Sequence, residues 1–162
     1  MIINKVPNVE MIAREMTSMS QVKMIINRFF LLTLANKFKL TWSNFFNVFK
    51  LVKKDYATGI GLLIELEILT KKYIPKVLFL HNQITDMAVA LGNKKVFIAY
   101  FRLMKEYKIS PGISSNNPNK LVNFLSTMKL PGNLIVCIPS RKINKSIKIV
   151  INSSGIKFLY ND

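Results

Sequence analysis

The stretch from Tyr107 to Asn161 constrains the fold most. It contains no acidic residue, and its turn residues divide it into short segments. It contains eight Lys and Arg residues. Turn signals at 110–112, 131–133 and 152–155 leave room only for short strands and short helices between them. We therefore expect an ordered, electropositive domain here rather than a disordered basic tail.

The charge of the whole chain indicates the class of partner. The formal net charge is +16 over 162 residues, from 24 Lys and Arg against 8 Asp and Glu. Such a positive field concentrates polyanions, most commonly phosphate backbones. Half of the residues are hydrophobic, which is enough apolar material for a buried core. Abundant Lys, Ile and Asn with little Ala is typical of an AT-rich genome, such as that of an organelle.

Helical periodicity dominates the first half. Residues 1–20 lack a clear period and are predicted to be an extension. Apolar spacing predicts one helix over about 22–38 and a second from about Thr41 to Tyr56. The segment 61–73 fits both a helical and a strand period, and a helix is favoured.

The second half is predicted to alternate between strands and short helices. Val77–Leu80 and 96–101 are typical of strands, and we expect a hairpin or a longer antiparallel connection between them. Pro111 and Gly112 predict a turn, and Pro118 predicts a helix that begins after Asn117. A strand at 134–138, a basic loop at 139–142, a short helix or strand at 144–151 and a last strand at 156–160 complete the pattern.

The residue types needed for catalysis or metal binding are scarce. His81 is the single histidine, and Cys137 lies in an apolar run where a buried filler is expected. Glu65 and Glu67 are two apart and diverge on a helix, so we expect them to face solvent near Lys71 and its neighbour. The pattern predicts a protein that is not an enzyme, with no cofactor or metal and without a membrane-spanning segment.

Two loops flank one basic segment and offer the groups that contact a sugar-phosphate backbone. One loop combines a hydroxyl, two cations and backbone amides after an apolar strand, and the other adds short hydroxyl side chains and a glycine. The predicted RNA-binding residues are Ser140, Arg141, Lys142, Lys145, Lys148, Ser153, Ser154 and Gly155.

The order of these carboxyl-terminal segments resembles the small-subunit ribosomal protein eight family. That family has a segment Arg-Ile-Ser-Lys-Pro-Gly, a short helix, an apolar strand, the loop Ser-Thr-Ser-Lys-Gly, a basic helical segment and a Gly-Gly-Glu turn into a last strand. The resemblance covers roughly 94–160 and adds Lys108 and Ser110 to the predicted site. The counterparts here are 108–112, 118–128, 134–138, 139–142 and Ser154-Gly155 leading to Tyr160.

The chain also departs from the family pattern. Ile138 and Pro139 replace the first Ser-Thr of the loop, and Lys142 replaces its glycine, so two hydroxyl groups are lost and a charge is gained. The acid of the closing turn is absent. The family's second helix corresponds either to Trp42–Tyr56 or to Gly61–Tyr73.

The resemblance implies an α+β fold. Its expected parts are an extension at 1–20, an amino-terminal α/β domain at 21–106 with two helices, a small sheet and an insertion near 80–92, and a β-rich RNA-binding domain at 107–162 with one or two short helices. It further implies a structural constituent of the ribosome that binds the central domain of small-subunit ribosomal RNA beside other small-subunit proteins. We expect it to support subunit assembly and translation, and to act in mitochondria.

A different function class stays open from the residues themselves. The helix predicted from Trp42 to Tyr56 is rich in Phe and carries Lys on its polar face. An amphipathic helix of this composition can lie on an anionic bilayer. The alternative is therefore a basic peripheral membrane protein or assembly factor.

Overall fold

The computed structural model of the protein describes residues 5–18, 21–42, 56–71, 73–140 and 156–161. The chain divides into a helical unit, Val6–Ile74, and a sheet unit that comprises Met1–Lys5 and Pro75–Asp162. It is a mixed helix and strand protein, as expected. The division at 74/75 lies 32 residues before the predicted boundary at 106/107.

The described part of the helical unit contains four helices. They are α1 (Val9–Ser18), α2 (Gln21–Phe30), α3 (34–42) and α4 (Tyr56–Thr70). Helix α4 is apolar on most sides and is buried along most of its length, so it forms the centre of the unit. Its Leu62 and Leu66 pack with Leu32 and Leu40 in one hydrophobic cluster.

The predictions for this unit were partly wrong. Helix α1 lies inside the segment that was expected to be an extension, and the helix predicted at 22–38 is two helices separated at 31–33. The helical alternative for 61–73 is confirmed by α4. Most of the helix predicted from Trp42 to Tyr56 lies outside the described residues.

Glu67 contradicts the expectation that the paired acids face solvent. Glu65 and Glu67 are both buried in α4. The Glu67 carboxylate accepts a hydrogen bond from the Asn8 amide at 2.7 Å, and the Arg28 guanidinium lies 3.3 Å from the same oxygen. A buried carboxylate requires such partners, so Glu67 is a structural residue that joins α2 and α4.

The five-stranded sheet is built from parallel strands and crossover helices. The strands are β1 (Lys5–Val6), β2 (Val77–Leu80), β3 (Ser110–Ser114), β4 (Ile135–Pro139) and β5 (Lys157–Asn161), in the spatial order β1-β2-β3-β4-β5. Helices α5 (Asn82–Ala90) and α6 (Lys94–Glu106) connect β2 to β3, and α7 (Pro118–Leu125) connects β3 to β4. Parallel strands need such crossovers, and β2 and β4 are apolar runs that are largely buried.

Several predictions for this unit are confirmed by the structure. Strand β2 has the predicted limits, α7 begins at Pro118, and the strands predicted at 134–138 and 156–160 are β4 and β5. His81 is the N-cap of α5, where its ring accepts a hydrogen bond from the Gln83 amide. Cys137 is a buried residue of β4.

Three predictions in this unit are wrong. Residues 96–101 are not a strand but part of α6, and β2 pairs with β3 in parallel rather than through a hairpin. The buried residues of α6 recur at helical spacing, and this tertiary burial outweighs the strand propensity of the segment. Pro111 and Gly112 are not a turn but the middle of β3.

Tyr100 of α6 explains why β3 can contain this pair. Its buried hydroxyl accepts a hydrogen bond from the Gly112 amide at 2.8 Å and lies 2.6 Å from the carbonyl of Leu78 on β2. The hydroxyl therefore replaces a direct link between β2 and β3 next to Pro111, which has no N–H to donate. Gly112 is required as well, because a Cβ there would lie 2.6 Å from the ring of Phe79.

Candidate nucleic-acid interface

A groove with cationic walls opens at the amino-terminal edge of the sheet. It has a volume of about 610 Å³ and lies between the end of α6, the turn before β3 and the loop before β4. Four exposed cations line it, namely Arg102, Lys105, Lys108 and Lys129. No Asp or Glu is among its described lining residues. We call it the cationic groove.

Helix α6 positions two of these cations because it buries its apolar face and exposes its charged face. Phe97, Tyr100 and Met104 are fully buried, whereas Arg102 and Lys105 are exposed three residues apart. Residues at this spacing are neighbours on a helix surface. The two charges therefore lie side by side on one wall of the groove.

Lys108 has an unusual backbone conformation. Its φ is +56°, in the left-handed region that side chains rarely adopt. The Lys108 amide donates to the carbonyl of Lys105, and the Ile109 amide donates to the carbonyl of Met104, which together form a Schellman motif at the end of α6. Glycine is the usual residue at this position, so a lysine here carries a conformational cost.

Helix α5 ends in the same motif with the expected residue. Gly92 has a φ of +63°, and the amides of Gly92 and Asn93 donate to the carbonyls of Val89 and Ala88. A Cβ at Gly92 would have no atom within 4 Å, so its backbone angle rather than its packing favours glycine. Of these two helix ends, only that of α6 has a residue other than glycine in the left-handed position.

Cations continue along the edge beyond the groove. Lys76 comes just before β2, and its carbonyl accepts a hydrogen bond from the Ser110 amide at the start of β3. Lys157 begins β5 and is exposed. Neighbouring parallel strands lie about 4.8 Å apart. The cationic edge comprises Lys76, Arg102, Lys105, Lys108, Lys129 and Lys157.

The structure divides the predicted site residues between opposite edges of the sheet. Lys108 lines the cationic groove, and Ser110 accepts a hydrogen bond from the groove residue Asn133 at 3.3 Å. Ser140 follows the carboxyl end of β4, which is about 16 Å away along a five-residue strand. The other predicted residues lie outside the described part of the chain: Arg141, Lys142, Lys145, Lys148, Ser153, Ser154 and Gly155.

Polar groups at the carboxyl-terminal edge mainly satisfy one another. The Asp86 carboxylate accepts hydrogen bonds from the Ser115 hydroxyl and the Asn116 amide, and the Ser115 oxygen accepts from the Asn117 amide. These contacts join α5 to the start of α7. They also place the acid of α5 at the opposite edge of the sheet from the cationic groove.

Two further properties of the described residues bear on function. Within 5–18, 21–42, 56–71, 73–140 and 156–161, no helix is long and apolar enough to cross a membrane. No group of three or more His, Cys, Asp or Glu side chains in these ranges could hold a metal ion.

Comparison with known proteins gives no match to this chain. No protein-family model matches it, and neither the curated proteins nor the solved structures contain a match.

Proposed function

We propose that this protein binds structured RNA through the cationic edge of its sheet. The observation that carries the proposal is a row of six exposed cations, four of them around one groove whose described lining includes no acid. A single phosphate would need only one or two of these charges. Charges spread across four neighbouring strands match a phosphate backbone.

The finer proposal is a structural role in the small ribosomal subunit, in mitochondria. It rests on the resemblance of residues 94–160 to the ribosomal protein eight family. The RNA would be the central domain of small-subunit ribosomal RNA, and the partners would be neighbouring small-subunit proteins. In the two-domain layout that the resemblance implies, the groove combines Arg102 and Lys105 from before residue 107 with Lys108 and Lys129 from after it.

The lysine-rich composition of the edge indicates the mode of binding. Five of the six cations are Lys, which acts as a point charge rather than a bidentate fork. Binding by phosphate neutralisation releases counterions, so affinity should fall steeply as salt is raised. Shape and backbone position, rather than base sequence, would then select the RNA.

Two measurements test this function at its two levels. Binding of the purified protein to a labelled transcript of the small-subunit central domain, across a salt series, tests RNA binding, and a slope near zero would contradict it. Co-sedimentation with small ribosomal subunits tests the ribosomal role. Absence of the protein from the subunit fraction at low salt would contradict that role while leaving RNA binding intact.

A second candidate function is favoured by an apolar stripe in the helical unit. Phe30, Leu31, Leu34, Phe38 and Trp42 are each 68–84% exposed along the end of α2 and α3. The rings of Phe38 and Trp42 stack at 6.1 Å. Exposed apolar patches of this kind mark interaction surfaces, and aromatic side chains near lysines suit an anionic bilayer surface.

Liposome flotation separates this candidate from RNA binding. If the stripe binds bilayers, the protein floats with vesicles that contain an anionic lipid, and a Leu34→Ser, Phe38→Ser variant does not. Equal recovery of the protein with neutral and anionic vesicles would contradict binding to an anionic bilayer surface, and equal recovery of the variant and the wild type would contradict binding through the stripe.

A further inference from the structure

We infer that the cationic groove takes an unpaired nucleotide of the RNA, with the base on the ring of Phe101 and the adjoining phosphates on the surrounding cations. The inference rests on the proposed function and specifies the class of RNA. The groove volume of about 610 Å³ lies within the range of about 300–1,000 Å³ that is typical of small-ligand sites. A base within a paired stem is stacked and cannot present its face to a side chain.

The floor of the groove is apolar, which distinguishes it from a simple phosphate-binding surface. Phe101, Met104, Ile109 and Pro111 form part of this floor, while the charged groups come from residues that are exposed. Phosphates alone have no use for an apolar floor, since their oxygens need donors. A nucleotide has an apolar base face and a charged phosphate, and this combination matches both parts of the groove.

Phe101 is held in place by the core behind it. Its half-buried ring lies 5.6 Å from the ring of Tyr100 and 6.4 Å from the ring of Phe97, both of which are fully buried. Tyr100 is fixed in turn by its hydrogen bond with the Gly112 amide. A ring supported in this way loses little conformational freedom when a base stacks on it.

The four cations line the same groove as this ring. Arg102 follows Phe101 on α6, and Lys105 lies one turn further along the same helix. Lys108 and Lys129 line the groove from the turn before β3 and the loop before β4. Because the cations come from three different elements, they can contact phosphates on both sides of one bound base.

The experiment compares two labelled RNA hairpins that differ only in one unpaired 2-aminopurine in the stem. We expect the wild type to bind the hairpin with the unpaired base about tenfold more tightly, with a change in 2-aminopurine fluorescence. Phe101→Leu should lose this preference but keep the affinity for the fully paired hairpin. Phe101→Trp should retain the preference, because the indole also offers a stacking surface.

The outcomes separate the inference from the proposed function. Equal wild-type affinity for both hairpins, or a preference that survives in Phe101→Leu, overturns the inference and leaves RNA binding in place. The wild-type comparison is decisive even if Phe101→Leu does not fold. Binding of neither hairpin overturns the proposed function as well.

Discussion

Replacement of Lys108 by glycine should make the protein more stable and a weaker RNA binder at the same time. A left-handed backbone costs a non-glycine residue about 1–2 kcal/mol, whereas glycine loses about 0.4–1 kcal/mol more by its freedom in the unfolded chain. The net effect on the free energy of unfolding is a gain of about 0.5–1 kcal/mol. For a chain of this size the melting midpoint should rise by about 2 °C.

The RNA affinity of Lys108→Gly should move in the opposite direction. Loss of one phosphate contact should reduce the slope of log affinity against log salt by about 0.7–0.9. Lys108→Arg keeps both the charge and the backbone strain, so it should match the wild type in both assays. Lys108→Asn removes the charge but tolerates the left-handed backbone, so it should match Lys108→Gly in RNA binding.

Urea unfolding and fluorescence anisotropy with a labelled ribosomal RNA transcript measure the two effects. Gly92→Lys is the reciprocal control, because it places lysine in the same motif at the end of α5 and should lower stability by about 1 kcal/mol. A Lys108→Gly variant that is no more stable than the wild type would contradict the first expectation. A Lys108→Gly variant with an unchanged salt slope would contradict the second.

Three further predictions concern the junction of β2 and β3. Gly112→Ala should lower the free energy of unfolding by about 1–3 kcal/mol, because the added Cβ overlaps a buried ring. Gly132→Ala is the control, because a Cβ there has no atom within 4 Å, and it should change the free energy by less than about 0.5 kcal/mol. Urea unfolding measures both values. Tyr100→Phe should lower it by about 1–3 kcal/mol, because the Gly112 amide loses its partner. Burial raises the pKa of Tyr100 above its usual value of 10.0, so the folded state keeps a proton that the unfolded state loses. The wild type should therefore lose stability as the pH rises above 10.0, and its advantage over Tyr100→Phe should shrink there. An advantage that is constant across that range would contradict this.

The correctly predicted elements are those whose ends are marked by nearby residues in the sequence. Strand β2 is an uninterrupted apolar run, α7 begins with Pro118 after Asn117, and β4 follows Pro131 and Gly132. In each case the terminating residues and the apolar pattern agree. The structure then adds only the pairing partner of each element.

The failures occur where distant residues determine the local structure. Pro111 and Gly112 have the composition of a turn, yet they continue a strand because Tyr100, 12 residues before Gly112, provides the hydrogen bond that the ladder lacks. Tyr100 itself lies in a segment of strand-forming residues that becomes a helix through burial on the sheet. No local pattern contains this mutual dependence.

The candidate site shows the same division. Lys108 and Ser110 were identified by family resemblance, and the structure places both at the cationic groove. The sequence did not point to three of the groove cations, namely Arg102, Lys105 and Lys129. For the first two, the strand predicted at 96–101 hid their helical spacing. Once α6 is recognised as a helix, the spacing of Arg102 and Lys105 indicates that they are neighbours on its surface.

A salt titration of RNA binding with two charge-reversal variants tests whether the cationic groove binds the RNA. The first variant, Lys105→Glu with Lys129→Glu, changes the groove, and the second, Lys95→Glu with Lys120→Glu, makes the same change in net charge at exposed positions that do not line it. We expect the groove variant to lose about 1.5 from the magnitude of the wild-type salt slope, and the control to keep a slope close to that of the wild type. Equal losses in the two variants would contradict this, because the net charge rather than the groove would then bind the RNA.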